Sequence, residues 1–235
     1  MEATLDRRRV RSTRALLDAA GRLFADHGFA GTTVEHIARE ADVAVGTIYG
    51  NFGGKRELYL AAVERALDLN EEYVAPVYAS GMSASEEVIA SGAAYLRFYR
   101  EHPAQFRLLA MPPLEPGESA GAAAAEAIHE RVDRALARMA GSIERAVAEG
   151  TIRPVPPLPA ARFLMAALNG TVALNLLPGV LRVEGKDLED VVRVAFRIVG
   201  EGIAAASLRG PDAGLAPGTE ALLDRLLAGD EREET

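Results

Sequence analysis

Apolar residues recur at steps of three and four over residues 13–26, where Leu16, Leu17, Ala20, Leu23 and Phe24 mark the buried stripe of a helix. His27-Gly28 ends the pattern, and glycine is the residue best able to take the left-handed conformation that closes a helix. Thr32 or Thr33 then offers a cap for a second helix, with Glu35 three residues after Thr32 as a capping box requires. Val34, Ile37, Ala38 and Ala41 face inward over barely two turns, and Asp42-Val43 makes a turn. A third helix is expected over residues 44–51, with Ile48 and Phe52 inward, before Gly53-Gly54 breaks the pattern. A longer helix opens near Arg56 and runs to residues 73–76. Helices as short as the second and third are unstable alone in water, so packing must hold them. A short helix, a tight turn and another short helix on an apolar base is the helix-turn-helix arrangement, whose second helix fits a DNA major groove.

Downstream the period stays helical, with no segment alternating over strand length, so an all-α fold without a sheet is expected. Helices are predicted over residues 84–100, from Pro103, over 120–149, over 159–177 and over 188–208. The Pro/Gly-dense stretch at 111–125 reads as a loop. GTIRPVPPLPAARF, residues 150–163, reads as a helix–helix connection, with a polyproline ligand the lesser alternative. Residues 210–219 read as a linker, with a turn or two of helix over 221–227 before a charged tail.

Composition then removes whole classes of chemistry. The chain of 235 residues contains no cysteine, which excludes disulfides, thiolate nucleophiles and cysteine-ligated metals. Its four histidines, His27, His36, His102 and His129, include no pair at the i, i+4 spacing of a helical metal site. There is no G-x-S-x-G elbow and no phosphate-cradling glycine loop, so no enzymatic activity and no cofactor is expected. No apolar run reaches membrane-spanning length, and the N-terminal run lacks the apolar core of a secretory signal, so a soluble cytoplasmic protein is expected. A net charge of −8 argues against a nucleic-acid partner only if charge is uniform. It is not: Arg7, Arg8, Arg9, Arg11 and Arg14 stand against only Glu2 and Asp6 at the start of the chain.

The run Thr33-Val34, Ile37 through Tyr49, Phe52 and Lys55 through Leu58 resembles the DNA-binding domain of the TetR/AcrR family of bacterial transcriptional regulators, over roughly residues 12–60. The resemblance implies residues 1–60 as a basic arm and a three-helix DNA-binding domain, 61–209 as a larger helical ligand-binding and dimerisation domain, and 210–235 as linker and tail. It implies that Thr33, at the start of the second helix, and Tyr49 and Lys55 contact the DNA backbone, with Thr47 meeting phosphate or a base edge. The segment Ala44-Val45-Gly46-Thr47 departs from a reader rich in bidentate side chains, having no arginine, lysine or glutamine. Gly46 is therefore expected to allow close backbone approach, Val45 to pack on thymine methyls, and Thr47 and Asn51 to supply polar contacts. Arg7, Arg8, Arg9 and Arg11 are expected to reach the minor groove or flanking phosphates.

The same resemblance implies a homodimer on a palindromic operator in double-stranded DNA, formed by the last two long helices, with Leu168, Val172, Val191, Ala195, Ile198 and Gly202 at the seam and the helix glycines Gly170 and Gly202 permitting close approach. It further implies a small-molecule effector, and the polar or adaptable residues on otherwise apolar helices are the candidates for its site: Tyr95, Tyr99, Phe106, Met111, His129, Met165 and Asn169. No charged cluster converges there, which favours an uncharged or amphiphilic ligand. A helix-turn-helix protein without a working pocket, binding DNA or another protein constitutively, is the rival reading.

Overall fold

The computed structural model describes residues 2–110, 122–176, 179–210 and 214–228, with the backbone alone at 2–11, 122–124, 176, 181 and 226–228. Its helices are α1 (Glu2–Gly31), α2 (Val34–Glu40), α3 (Val45–Phe52), α4 (Lys55–Tyr78), α5 (Ala84–Glu101), α6 (Pro103–Ala110), α7 (Ala122–Ala148), α8 (Pro157–Ala173), α9 (Gly185–Ile203) and α10 (Pro217–Ala228). Among the described residues the only β pairings are isolated bridges, Ile152 with Ala204 and Arg209 with Leu215, so the fold is all-α. Two compact units emerge: residues 1–72 with 98–132, and residues 73–97 with 133–235. The first unit therefore extends past residue 60 and takes in α6.

In the first unit, Leu16, Ala20 and Phe24 of α1 meet Ile37 of α2, Ile48 of α3, Leu58 and Ala62 of α4, and Leu108 of α6 in one buried cluster. That shared core is what makes α2 and α3 stable at seven and eight residues. Gly28, at φ 70°, kinks the end of α1 and lets Phe29 stack on Phe24 at 5.8 Å between centroids. The α2 cap falls on Thr33, whose hydroxyl accepts from the His36 N–H at 3.2 Å. His36, not Glu35, is thus the third helical residue, and the capping box expected between Thr32 and Glu35 does not form. Thr32 is instead fully buried, its hydroxyl donating to the carbonyls of Gly28 (2.8 Å) and Leu23 (3.0 Å), so it ties α1 to the start of α2.

The turn between α2 and α3 has a specific closure. Val43 N–H bonds to the Ala38 carbonyl at 2.9 Å and Asp42 N–H to the Arg39 carbonyl at 3.3 Å, the two bonds of a Schellman motif. That motif needs a left-handed residue at Asp42, whose φ is 53°, a conformation a short polar side chain tolerates better than most.

The second unit is built from α5, the C-terminal part of α7, α8, α9 and α10. Glu87 of α5 is buried and held by α7, accepting from the Ser142 hydroxyl at 2.5 Å and from the Arg145 guanidinium. Tyr95 of α5 donates to the Asn169 side-chain carbonyl of α8 at 2.9 Å. The segment after α7 lies along the end of α9 through Arg153 N–H to Ile203 O and Ala205 N–H to Thr151 O, both 2.9 Å. α8 closes at Ala173 into a short 3-10 turn, and α9 begins at Gly185 and stops at Ile203, earlier than its apolar pattern alone suggests. Residues 210–235, expected as linker and tail, include α10, and Leu215 and Leu223 are buried in the unit.

Candidate nucleic-acid interface and apolar cavity

On the first unit, Thr33 is exposed at the start of α2, and Gly46, Tyr49 and Gly50 are exposed on α3. Tyr49 leaves 53% of its surface outside although it sits one residue after the fully buried Ile48. Thr47 and Asn51 are half-buried. Nothing approaches within 4 Å of where a Cβ would stand at Gly46 or Gly50, so a neighbouring backbone has room to come close. Lys55 begins α4 with its ammonium 4.3 Å from the centroid of Phe29, and that ring in turn packs against Tyr59. The cation is thus positioned by the same aromatic cluster that closes the core, within a helix N-terminus that itself favours anions.

Two expectations change here. Val45 is half-buried against the core cluster of this unit, so its methyls are committed inward rather than offered to thymine. The arginine run does not lie on an extended arm: the backbone is helical from Glu2, and Arg7, Arg8, Arg9 and Arg11 occupy the first turns of α1, their side chains outside the described residues.

None of the described residues expected to contact an effector lines the cavity of the second unit. Tyr95 and Asn169 satisfy each other, and burial raises the Tyr95 phenol far above its usual pKa while its bond to Asn169 opposes the shift. Phe106 is fully buried in the first unit, edge-on to Tyr99 at 5.0 Å. His129 is exposed, Met165 stands outside the cavity wall, and Met111 lies outside the described residues.

The cavity that is present measures about 90 Å³ and is walled by Val88, Ile89 and Gly92 of α5, Met139 of α7, Leu164, Ala167 and Leu168 of α8, Ala195, Phe196, Val199 and Gly200 of α9, and Leu215, Thr219 and Leu223 at the C-terminal end. No charged side chain lines it, and its side-chain polar groups are the hydroxyls of Ser85, Thr151 and Thr219. Two glycines shape it. A Cβ at Gly92 would stand 3.0 Å from the Phe196 ring, and one at Gly200 would stand 3.2 Å from Leu215, so each glycine is the seat of a bulky wall residue. Gly170 and Gly202, expected to allow close helix contact, meet nothing within 4 Å among the described residues.

The residues expected at a dimer seam fall in different surroundings. Val172 is fully buried within its own chain, where no partner can reach it, and Leu168 and Ala195 belong to the cavity wall. Val191 and Ile198 are exposed on α9, joined there by Val194, and α8 adds Phe163 at 60% exposure with Ala166 and Gly170. Large apolar side chains repeated along one face of two packed helices are unusual on a free surface.

Comparison with known proteins bears on both surfaces. Residues 16–62 match the family described as bacterial regulatory proteins, tetR family, and residues 88–199 match the tetracyclin repressor-like C-terminal domain. The chain belongs to the TetR family. Among TetR-family proteins it is 28% identical to the HTH-type transcriptional repressor SCO4008 of Streptomyces coelicolor over 189 residues, covering 77% of this chain and 91% of that protein. It is 37% identical to the HTH-type transcriptional regulator HbdR of Aromatoleum sp. (strain CIB) over 59 residues, which spans only 25% of this chain and 26% of that protein. The fold matches that of AibR, solved in complex with isovaleryl coenzyme A and operator DNA, with a TM-score of 0.65 and 20% identity over 79% of this chain and 96% of that one.

As a TetR-family member the chain is a DNA-binding transcriptional regulator. The family's N-terminal match includes Thr33, Tyr49 and Lys55, and its C-terminal match includes α8 and most of the cavity wall. Leu215, Thr219 and Leu223 lie beyond that match. The apolar wall residues had no distinguishing mark in the sequence, because a cavity lining and a filled core repeat with the same helical period. The available signals were Gly92 and Gly200, glycines inside helices that lower helix stability unless something packs on them. Among the described residues no helix is long and apolar enough to cross a membrane.

Proposed function

We propose that this TetR-family regulator is a repressor that binds a palindromic operator as a homodimer and lets go when an uncharged, largely apolar small molecule occupies the cavity of its second unit. The observation that carries the reading is a cavity free of charged side chains within the helical unit of a protein with a TetR head. An anionic or cationic effector would lose its hydration there without gaining a partner, whereas an apolar body with one hydroxyl or carbonyl finds hydroxyls at Ser85 and Thr219, the Thr151 hydroxyl being already given to the Ala146 carbonyl. AibR, a fold neighbour solved in complex with isovaleryl coenzyme A and operator DNA, supports a small-molecule site and a DNA site on one such fold, but not the neutral ligand or the release. Effector binding acts by preferring one conformation of the protein, and only that difference in affinity can shift the DNA-bound population.

In this reading residues 1–60 read DNA, and the helical unit after them binds the effector, with a cavity wall that runs on to Leu223, and dimerises, in the cytoplasm. Thr33, Thr47, Tyr49, Asn51 and Lys55 hold the phosphates and base edges, with Gly46 and Gly50 leaving room for the groove wall. The arginines of the first turns of α1 add phosphate neutralisation. The exposed stripe of Phe163, Val191, Val194 and Ile198 meets its symmetry mate, burying apolar surface that is otherwise left in water.

Selection of source-genome fragments by the purified protein at physiological salt, followed by sequencing, tests the proposal. One or a few enriched inverted repeats are expected, and their recovery is expected to fall when a neutral organic extract of the source cells is added. Sequence-independent recovery would overturn the specific-operator reading. Recovery at defined sites that no extract reduces would instead establish the constitutive binder.

A further inference from the structure

The cavity is small for a site that takes an effector. At about 90 Å³ it is well below the dry cavity of about 150 Å³ that admits a benzene ring. Any larger molecule requires a wall to withdraw, and the walls are not equally held. α5, α8 and α9 are helices of 17 to 19 residues, α8 packed against α9 and the α5 wall tied to α7 through Glu87, Ser142 and Arg145.

The remaining wall is the segment from Leu215 through α10. It enters the cavity with two leucines and the Thr219 hydroxyl. Leu215 rests on Gly200, where the missing side chain of α9 makes its seat. Outside the cavity the segment is fastened by Ala216 N–H to Leu208 O at 2.8 Å, Gly210 N–H to Gly214 O at 2.9 Å, and an Arg197–Glu220 ion pair at 3.0 Å. That ion pair is about half exposed on both sides, where such pairs contribute little. Side chains of the same apolar kind as the expected effector are thus inserted by a short C-terminal segment whose polar fastenings outside the cavity are few.

We propose that the segment from Leu215 to Leu223 is a resident competitor for the effector site: a neutral apolar molecule larger than one small ring binds by displacing Leu215 and Leu223, and α10 leaves its seat on Gly200. This rests on the cavity being the effector site. The segment then sets a lower limit to effector size and affinity, because every larger occupant binds only the fraction of molecules whose segment is out.

The test is hydrogen–deuterium exchange on the full chain, free and saturated with Nile red, an uncharged apolar dye whose fluorescence reports its transfer from water. Faster exchange at the amides of α10, with slower exchange in α5 and α8, is the expected result. Protected or unchanged amides in α10 on dye binding would mean a fixed wall and would overturn the displacement while leaving the effector site standing. The full-length double variant Leu215→Ala/Leu223→Ala is expected to bind the dye roughly tenfold more tightly, since the competitor is removed. Equal or weaker dye binding by a double variant that retains wild-type helicity also overturns it. If neither protein takes up the dye, the cavity reading itself fails and the displacement with it.

Discussion

Leu58 of the first unit and Leu164 of the second carry the same side chain on neighbouring kinds of helix, but Leu58 is wholly enclosed while Leu164 is half-buried and borders the cavity. The contrast extends to their surroundings. Leu58 shares a filled cluster with Leu16, Phe24, Ile37 and Ile48, so α2 and α3 have one way to sit. Leu164 faces free volume whose wall residues Phe196 and Leu215 are seated on glycines. A groove-reading helix must arrive at a fixed angle, and a filled core provides that. A site that accepts a molecule must leave part of its own packing unfinished.

Alanine at each leucine breaks or sharpens this contrast most strongly. Leu58→Ala removes side-chain volume from a filled core and is expected to destabilise by about 3–5 kcal/mol. Leu164→Ala enlarges a space already present and is expected to destabilise by about 1 kcal/mol. Urea unfolding of the two variants, followed with probes in each unit, measures both. Equal losses would mean that the cavity wall is packed as tightly as the head's core.

A smaller effect separates a buried hydroxyl of the first unit from a half-buried one of the second. Thr32 bridges two carbonyls from separate turns of α1, one of them at the Gly28 kink, and Thr32→Val is expected to cost about 1–3 kcal/mol by leaving a buried acceptor beside a methyl group. Thr171 of α8 instead bonds back at 2.8 Å to the Ala167 carbonyl of its own helix. That carbonyl keeps its helical environment, so Thr171→Val is expected to stay within about 0.5 kcal/mol of wild type. Matching losses in thermal unfolding would show that Thr32 is not a special tie between α1 and α2.

Much of the head was legible because its signals are local. Gly28 and Gly53 take the positive φ their positions demand, and Ile37, Ile48 and Leu58 are buried where periodicity placed them. The family resemblance added which exposed side chains to watch, but neither it nor the pattern distinguished Val45 facing the core from Val45 facing out. The second unit was legible as helices and not as a site. Its candidates were chosen for polarity, and the polar pair Tyr95 and Asn169 turned out to satisfy each other across two helices. Leu168 and Ala195 show the deeper reason: a residue on an apolar face reads alike whether it meets a core, a partner chain or a cavity. The choice is made by what stands opposite, and for Leu215 and Leu223 that is a partner more than ten residues away in sequence.

The smallest expected effect concerns how the two units start their helices. α2 in the head is capped by the Thr33 hydroxyl, a group that does not titrate. α5 in the second unit begins with a one-way box in which the Ser83 hydroxyl and N–H both donate to the Glu86 carboxylate, at 2.7 and 2.8 Å. The hydroxyl bond, then the backbone bond, hold the Glu86 carboxyl below its ordinary pKa of 4.5; slight burial opposes this and the charge of Arg225 adds to it. Because the folded-state pKa is the lower one, the box stabilises fully above the unfolded value of 4.5 and loses that contribution as pH falls through the folded value. Glu86→Gln keeps an acceptor but removes the titration. Wild type is therefore expected to exceed the variant in stability at neutral pH, with the gap closing below about pH 4.5, while Thr33→Ala in the head lowers stability by about 1 kcal/mol without any such dependence in that window. A gap between wild type and Glu86→Gln that persisted undiminished into acid would mean that the carboxylate's charge contributes nothing to the start of α5, and that the two units cap their helices by the same means.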